Sequence, residues 1–262
     1  MNKSFNTTKL VLITGASGFV GNQVLLRLTS MKINVKLVLR KKVDFPKKVQ
    51  KYIKEIIYTK NIFNKNKRWW SKVLEDVDIF IHLAWYLKHQ DYLNSIKNIE
   101  CMHGTIKIVE YAKDSNLKKF VGIGTFYEYD SAVEYMSTIT QLKPNTLYGS
   151  CKASTFLVSN EILKNSKVKF LWIRLFNIFG EGEGPKRLYP YIKNQILKKH
   201  PVKIMNGEDI RDFMDVKDVS EEIAKLIFKQ TTGAYNLCSG IGISILAFTK
   251  NILLKYNSSH LL

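Results

Sequence analysis

Tyr148 and Lys152 stand four residues apart within Leu147–Lys164, where Leu147, Cys151, Phe156, Leu157, Ile162 and Leu163 recur at helical spacing. On a helix that separation puts both side chains on one face, one turn apart. A free phenol has a pKa of about 10 and exchanges its proton poorly at neutrality. An ammonium alongside stabilises the phenolate and draws the phenol toward the working range of a general acid or base. The pair can therefore give a proton to an alkoxide or take one from an alcohol. Such Tyr–Lys spacings are also common on surface helices, so the reading depends on what accompanies it.

What accompanies it is Val11-Leu12-Ile13-Thr14-Gly15-Ala16-Ser17-Gly18-Phe19-Val20-Gly21. An apolar run of strand length meets three glycines, and an amphipathic segment with Phe19, Val20, Val24, Leu25 and Leu28 on one face follows. Strand, tight turn and helix in this order let the backbone approach a ligand closely. The helix start offers unbonded N–H groups and a positive dipole end to a pyrophosphate. Gly15, Ser17, Gly18, Phe19, Val20 and Gly21 are the candidate contacts. Their spacing, G-x-x-G-x-x-G, differs from the G-x-G-x-x-G of the usual dinucleotide fingerprint.

Further strand-length runs lie at Val35–Leu39, Ile56–Tyr58, Val77–Ala84, Phe120–Gly124 and Phe170–Leu175, with helical stretches over Tyr92–Asn116 and Leu147–Lys164. This alternation predicts an α/β fold, a Rossmann-type doubly wound parallel sheet with its ligand beyond the carboxyl ends of the strands. Gly15, Arg40, Leu83, Ala84 and Thr125 then surround one crevice. Arg40 and Lys41, ending the second strand, read as a clamp for the 2′-phosphate of NADP(H), where NAD would favour an acid. A basic loop in a basic chain is the competing reading. His82, inside a nearly all-apolar strand, reads as a packed and hydrogen-bonded residue.

Beyond the loop Gly180-Glu181-Gly182-Glu183-Gly184-Pro185 the elements shorten. Helices are predicted over Leu188–Lys198, Val219–Phe228 and Ser244–Tyr256, and strands over Val202–Ile204, Arg211–Met214 and Ala234–Leu237. The expectation is an NADP-binding domain of residues 1–175 that carries the catalytic groups, followed by residues 176–262, mainly a small substrate-binding lobe interleaved with the sheet.

The formal net charge is +19, from 41 Lys and Arg against 22 Asp and Glu. These lysines are scattered, with short clusters only at Arg40–Lys42 and Lys65–Arg68, which reads as solvated surface. No zinc-finger, helix-turn-helix or single-strand-binding pattern joins them, so no nucleic-acid partner is expected. No apolar run is fit to span a bilayer, and Met1–Lys9 is too polar for a signal peptide. Cys101, Cys151 and Cys238 have no metal-ligand spacing. A cytoplasmic setting without membrane insertion is the expectation.

Gly15–Gly21, Tyr148 with Lys152, Arg174-Leu175-Phe176-Asn177-Ile178-Phe179-Gly180 and Arg211-Asp212-Phe213 occur in this order between about Lys9 and Gly240. In that order and spacing the chain resembles the extended short-chain dehydrogenase/reductase family, the NAD-dependent epimerases and dehydratases. Phe120–Thr125 and Tyr148–Lys152 resemble its branch of nucleotide-4-keto-6-deoxysugar 4-reductases, of the CDP-abequose synthase kind. The resemblance implies that Thr125 hydrogen-bonds the substrate carbonyl and that Tyr148 donates the proton as hydride arrives. Lys152 would tune Tyr148 and hold the nicotinamide ribose. Asn177, Arg187 and Arg211 would meet the sugar nucleotide, a guanidinium suiting a diphosphate bidentately. A turn asparagine, and an ion pair of Arg211 with Asp212 or Asp215, are the plainer readings there. A homodimer seamed by the Tyr92–Asn116 and Leu147–Lys164 helices is also implied.

Three positions depart from the family pattern. Cys101 replaces the asparagine expected three residues before Gly104, Asn61 stands where an acid often meets adenine, and the chain stops at Leu262 where relatives usually continue, which reads as a shortened substrate lobe. Dehydratases of the family place an Asp-Glu pair directly after the catalytic Ser or Thr. Here Phe126-Tyr127 follow Thr125, and Glu128 falls one residue too far. With Arg40 read as a phosphate clamp, the expectation is NADPH-dependent reduction of the C4 ketone of a nucleotide-activated 4-keto-6-deoxy sugar, for surface polysaccharide. A 4-epimerase with tightly bound NAD, and a catalytically silent NADP-binding regulator, are the alternatives.

Overall fold

Residues 9–88 and 91–262 are described by the computed structural model. Met1–Thr8, most of the segment weighed above as a leader, lies outside the described residues. The first half alternates as the sequence predicts: β1 (Leu10–Thr14), α1 (Phe19–Ser30), β2 (Asn34–Leu39), α2 (Lys47–Gln50), β3 (Ile53–Tyr58), α3 (Lys67–Val73), β4 (Ile79–His82), α4 (Lys97–Lys113) and β5 (Lys119–Thr125). Then come α5 (Leu147–Leu163), β6 (Lys169–Leu175), β7 (Asn177–Phe179), α6 (Leu188–Lys198), β8 (Ile210–Asp215), α7 (Val216–Leu226), β9 (Gly233–Leu237), β10 (Gly242–Ser244) and α8 (Ile245–Lys255).

Seven parallel strands form the main sheet in the order β3-β2-β1-β4-β5-β6-β9. The order reverses between β1 and β4, the place where doubly wound sheets open a crevice. Strand residues alternate between two buried faces. Val11, Ile13, Ile81, Val121 and Ile173 pack with Val24, Leu25 and Leu28 of α1 and Val219 and Ile223 of α7. Leu12, Phe80, Phe120, Phe170 and Trp172 face Trp70 of α3, Ile108 and Val109 of α4 and Leu163 of α5. On this second face Phe80, Phe120 and Phe170 are in register, with ring centroids 5.0 and 6.2 Å apart. The Phe80–Phe120 pair meets edge to face, which adds attraction to the burial itself.

A smaller sheet, β10-β8-β7, carries α6 and α8. Its own core holds Ile192, Val202, Phe248, Ile252, Leu253 and Leu261, with Phe213 stacked on Phe248 at 4.0 Å. Beyond residue 175, α7 packs on the main sheet and β9 pairs with β6 at its edge.

Several boundaries differ from expectation, each for a local reason. Val202–Ile204 is no strand: the Val202 N–H donates to Leu261 O at 2.6 Å and its side chain joins the lobe core. α4 starts at Lys97, not Tyr92, because the Asn98 amide donates to the carbonyls of Tyr92 (2.6 Å) and Ser95 (2.9 Å) and holds the chain in a turn. α3 went unforeseen in a lysine-rich stretch. It is started by Asn66, whose side chain accepts the Trp69 N–H at 3.0 Å, and anchored by buried Trp70 and Val73. α7 starts three residues early because Asp215 caps it, accepting the Lys217 N–H at 2.8 Å. Among the described residues no helix is long and apolar enough to cross a membrane.

Candidate active site

The glycine turn is built for close approach. Gly15 has φ +77°, and a Cβ there would lie 2.8 Å from Ala84 N and from Leu83 C. The end of β4 thus presses on the turn, which sets Leu83 and Ala84 beside it. A Cβ on Gly21 would lie 2.1 Å from Gly15 O. Gly18 starts α1 with no side-chain cap and no acid follows in the first turn, so the first N–H groups of the helix have no side chain competing for them. The close backbone packing and the uncapped helix start are of the kind that fits a dinucleotide pyrophosphate.

Thr125 ends β5 and is 5% exposed. A reciprocal cap fixes it: its N–H donates to Glu128 Oε1 at 2.9 Å, while its Oγ1 accepts the Tyr127 N–H at 3.3 Å. Tyr148 and Lys152 lie in the first turns of α5, which Thr146 caps by accepting the Gly149 N–H at 3.1 Å. Tyr148 is ringed edge-on by Tyr92 (5.2 Å), Tyr127 (6.1 Å) and Trp85 (6.5 Å). Burial among these rings pushes its phenol well above the usual tyrosine range, and a hydrogen bond with Thr125 works the other way. Lys152 turns inward. Its Nζ donates to Ile123 O at 2.6 Å and sits 3.7 Å from the centre of the Trp85 ring. Burial lowers its pKa to about 7, opposed by the negative charge of Glu128. The structure thus brings Thr125, Tyr148 and Lys152 together at the carboxyl end of β5, on the same edge of the sheet as the glycine turn that ends β1, two strands away.

The remaining candidates are spread about this centre. Arg187, at the start of α6, and Arg211, on β8, are exposed, yet the charges of both act on the Tyr127 phenol, which places them near the tyrosines. Arg187 pairs with Glu183 at 3.3 Å. Arg211 pairs with Asp209 at 2.9 Å, not with Asp212 or Asp215. Asn177 is half-buried at the start of β7. Arg40 and Lys41 are exposed just past β2. Asn61 is turned to Glu100, its amide donating to Oε1 at 2.6 Å. Cys101 is buried near Lys152, its thiol pushed up to about 11 by burial. His82 is the packed residue expected, its ring bonded to Thr14 Oγ1 (2.8 Å) and Thr105 Oγ1 (3.0 Å).

Two participants escaped the sequence reading. Trp85 follows Ala84 and donates its indole N–H to Asn98 Oδ1 at 2.8 Å, which fixes the ring over Lys152. Its signal was an aromatic residue directly after a crevice strand. Glu128, weighed only as a dehydratase acid, is instead paired with Arg174 at 2.8 Å, both fully or almost fully buried. An arginine inside the apolar run of β6 was the available clue.

The strand order and the uncapped glycine turn at its switch point define a Rossmann-type α/β fold. More narrowly, the chain belongs to the NAD dependent epimerase/dehydratase family, whose sequence profile matches residues 11–238. It is 27% identical to a dTDP-D-glucose 4,6-dehydratase of Dictyostelium discoideum, over 96% of this chain and 63% of that protein. It thus spans less than two thirds of that relative's length. It is 22% identical to a dTDP-6-deoxy-L-talose 4-dehydrogenase (NAD(+)) of Aggregatibacter actinomycetemcomitans, over 94% of this chain and 90% of that one. The fold matches the Thermus thermophilus UDP-glucose 4-epimerase complex with NAD, with a TM-score of 0.77 and 18% identity, covering 95% of this chain and 83% of that one.

These relatives overturn the cofactor expectation. The Aggregatibacter enzyme is named for NAD(+) and the Thermus epimerase was solved with NAD, so the NADP(H) assignment and the NADPH-consuming reductase built on it do not stand. The physical reason is that the reading rested on Arg40 and Lys41. Both are exposed residues past a strand end, in a chain with 41 basic residues. The matches also span dehydratase, dehydrogenase and epimerase, so they single out no one branch.

Proposed function

We propose that this protein is an NAD-dependent nucleotide-sugar 4-epimerase. The observation that carries the reading is the buried Thr125–Tyr148–Lys152 set, with aromatic residues and no acid pair after Thr125. NAD, when bound on the glycine cradle, supplies a reversible hydride acceptor. The positive charges of Lys152 and of bound NAD would hold Tyr148 as the phenolate against its burial, and that phenolate would take the proton of the sugar's C4 hydroxyl as C4 is oxidised, becoming the neutral phenol. Thr125 donates a hydrogen bond to the resulting C4 ketone. Once the sugar presents its other face, the Tyr148 phenol would return its proton to the C4 oxygen as C4 is reduced again. The rings of Trp85, Tyr92 and Tyr127 around the pair keep water away, which strengthens the electrostatic interactions within it.

Dehydration asks for a carboxylic acid beside the sugar, and Glu128 is committed to Arg174. Arg187, Arg211 and Asn177 are the side chains proposed to receive the nucleotide diphosphate and sugar in the C-terminal lobe. The exposed faces of α4 and α5, with Ile96 just before α4 and Leu157 and Val158 on α5, are proposed as a homodimer seam. The three cysteines are free, which suits the reducing cytoplasm.

The test is incubation of the NAD-loaded protein with UDP-glucose, UDP-N-acetylglucosamine and dTDP-glucose. A sugar inverted at C4 with no net change in NAD supports the reading. A 4-keto-6-deoxy product would establish a dehydratase, and retention of every substrate unchanged would remove the activity.

A further inference from the structure

Glu128 is fully buried yet accepts hydrogen bonds from three directions. Thr125 N–H reaches Oε1 at 2.9 Å, Trp172 Nε1 reaches the same oxygen at 2.9 Å, and Arg174 Nε reaches Oε2 at 2.8 Å. Arg174 Nη1 donates onward to the Tyr129 hydroxyl at 2.9 Å, which donates to Asn236 Oδ1 at 2.6 Å. The chain of bonds thus ties the end of β5 to β6 and β9. Space is reserved for it: a Cβ on Gly124 would fall 2.2 Å from Trp172 Nε1 and 2.3 Å from Glu128 Oε1. A buried ion pair is often no more stable than apolar residues of the same volume, so its presence beside a reaction centre calls for a use.

We propose that Glu128 is a positioning residue: its carboxylate pins the backbone of Thr125 and sets a buried negative charge beside the Trp172 ring that also flanks the Lys152 ammonium. The ammonium lies 5.6 Å from that ring's centre. The other titratable groups around Lys152 carry little charge at neutrality. His82 on β4 is lowered to about 3 and stays neutral, the Cys101 thiol on α4 is raised to about 11, and Tyr148 on α5 is raised as well. The negative charge of Glu128 works against the burial of Lys152 and favours its protonated form. The inference rests on the reading of Tyr148 and Lys152 as the proton-transfer pair.

Two variants of the NAD-loaded protein separate the two roles. Glu128→Gln removes the charge. The Lys152 titration midpoint, followed by NMR of lysine labelled at Cε, is expected to fall by about one pH unit or more. Glu128→Asp keeps the charge but shortens the reach to Thr125. It is expected to speed hydrogen exchange of the Thr125 amide and to lower kcat about tenfold with KM little changed, while the Lys152 midpoint stays in place. Should Glu128→Gln fail to fold around an unpaired arginine, Glu128→Gln with Arg174→Gln takes its place, with a fall in the same direction but smaller, because the arginine's opposing charge leaves as well. An unmoved Lys152 midpoint overturns the charge role, and an unchanged Thr125 amide in Glu128→Asp overturns the pin. Both readouts work without substrate, so a failure of the epimerase reading remains distinguishable from a failure of this one.

Discussion

The Lys152 ammonium lies 3.7 Å from the centre of the Trp85 ring while donating to Ile123 O at 2.6 Å. A cation over an indole face gains about 0.5–2 kcal/mol, most when water is excluded. Here that attraction and the carbonyl hydrogen bond hold a charged group in a site whose burial works against charge. The balance leaves Lys152 with a pKa of about 7, where a proton is easily exchanged.

That balance has a consequence for stability. Free lysine titrates near pH 10.4, so between about pH 7 and 10.4 the unfolded chain binds more protons at this position than the folded one. Stability contributed here therefore rises with pH across that window, and the cost of burial is fully present below about pH 7. Lys152→Met should be more stable than the parent at pH 6, by about 1–3 kcal/mol, with the gain shrinking toward pH 10. Urea unfolding at several pH values measures it. A variant less stable than the parent at pH 6 would mean that the carbonyl bond and the ring outweigh burial.

His82 behaves in the same sense at lower pH. Burial lowers its pKa to about 3, so the folded state holds fewer protons than the unfolded one between about pH 6.5 and 3. The stability it contributes is complete above pH 6.5 and is lost as pH falls through that window. His82→Gln should flatten the acid side of the stability profile, by at most about 1.4 kcal/mol per pH unit, relative to the parent. Parallel acid limbs in the two proteins would show that His82 is protonated at little cost.

Local grammar was legible in the sequence, and long-range pairing was not. The β1 strand, the glycine turn and α1 follow from adjacent residues, and Tyr148 and Lys152 share a face by helical geometry alone. Glu128 and Arg174 are 46 residues apart and meet only because β5 and β6 are neighbours in register, Gly124 opposite Arg174. Nothing near Glu128 in the chain reveals that pairing. Arg40 misled for the opposite reason: its place after β2 was read correctly, but a sequence cannot separate a guanidinium that grips a phosphate from one left in water. The start of α4 escapes periodicity because Asn98 ties back the carbonyls of Tyr92 and Ser95, a local side-chain clip that hydrophobic spacing does not register.

The glycine cradle yields a sharper test than cofactor affinity alone. Gly21→Ala would set a methyl group 2.1 Å from Gly15 O, against rigid backbone. The turn must open, so NAD binding followed by calorimetry should be lost while the far-ultraviolet circular dichroism stays close to the parent's. Gly182→Ala, whose Cβ would meet only Phe19 at 3.8 Å but at φ +89°, should instead cost about 1 kcal/mol of local strain and leave the cradle intact. Equal NAD affinity in Gly21→Ala and the parent would place the dinucleotide elsewhere.

Tyr148 decides whether proton transfer occurs where the geometry puts it. The ring is 7% exposed and held by Tyr92, Tyr127 and Trp85, contacts that phenylalanine keeps. Only the hydroxyl and its bond with Thr125 are removed by Tyr148→Phe. Fold and NAD affinity should therefore survive, while turnover of the sugar falls by about two to four decades, the usual worth of a positioned acid–base group. Thr125→Val, which removes the ketone's proposed donor, should cost about 1–3 kcal/mol of transition-state stabilisation. If the two hydroxyls act on the same oxygen of the sugar, the double variant should lose less than the sum of the single losses. Strict additivity would separate Thr125 from the proton transfer, and a Tyr148→Phe protein with most of its activity would take Tyr148 out of the reaction altogether.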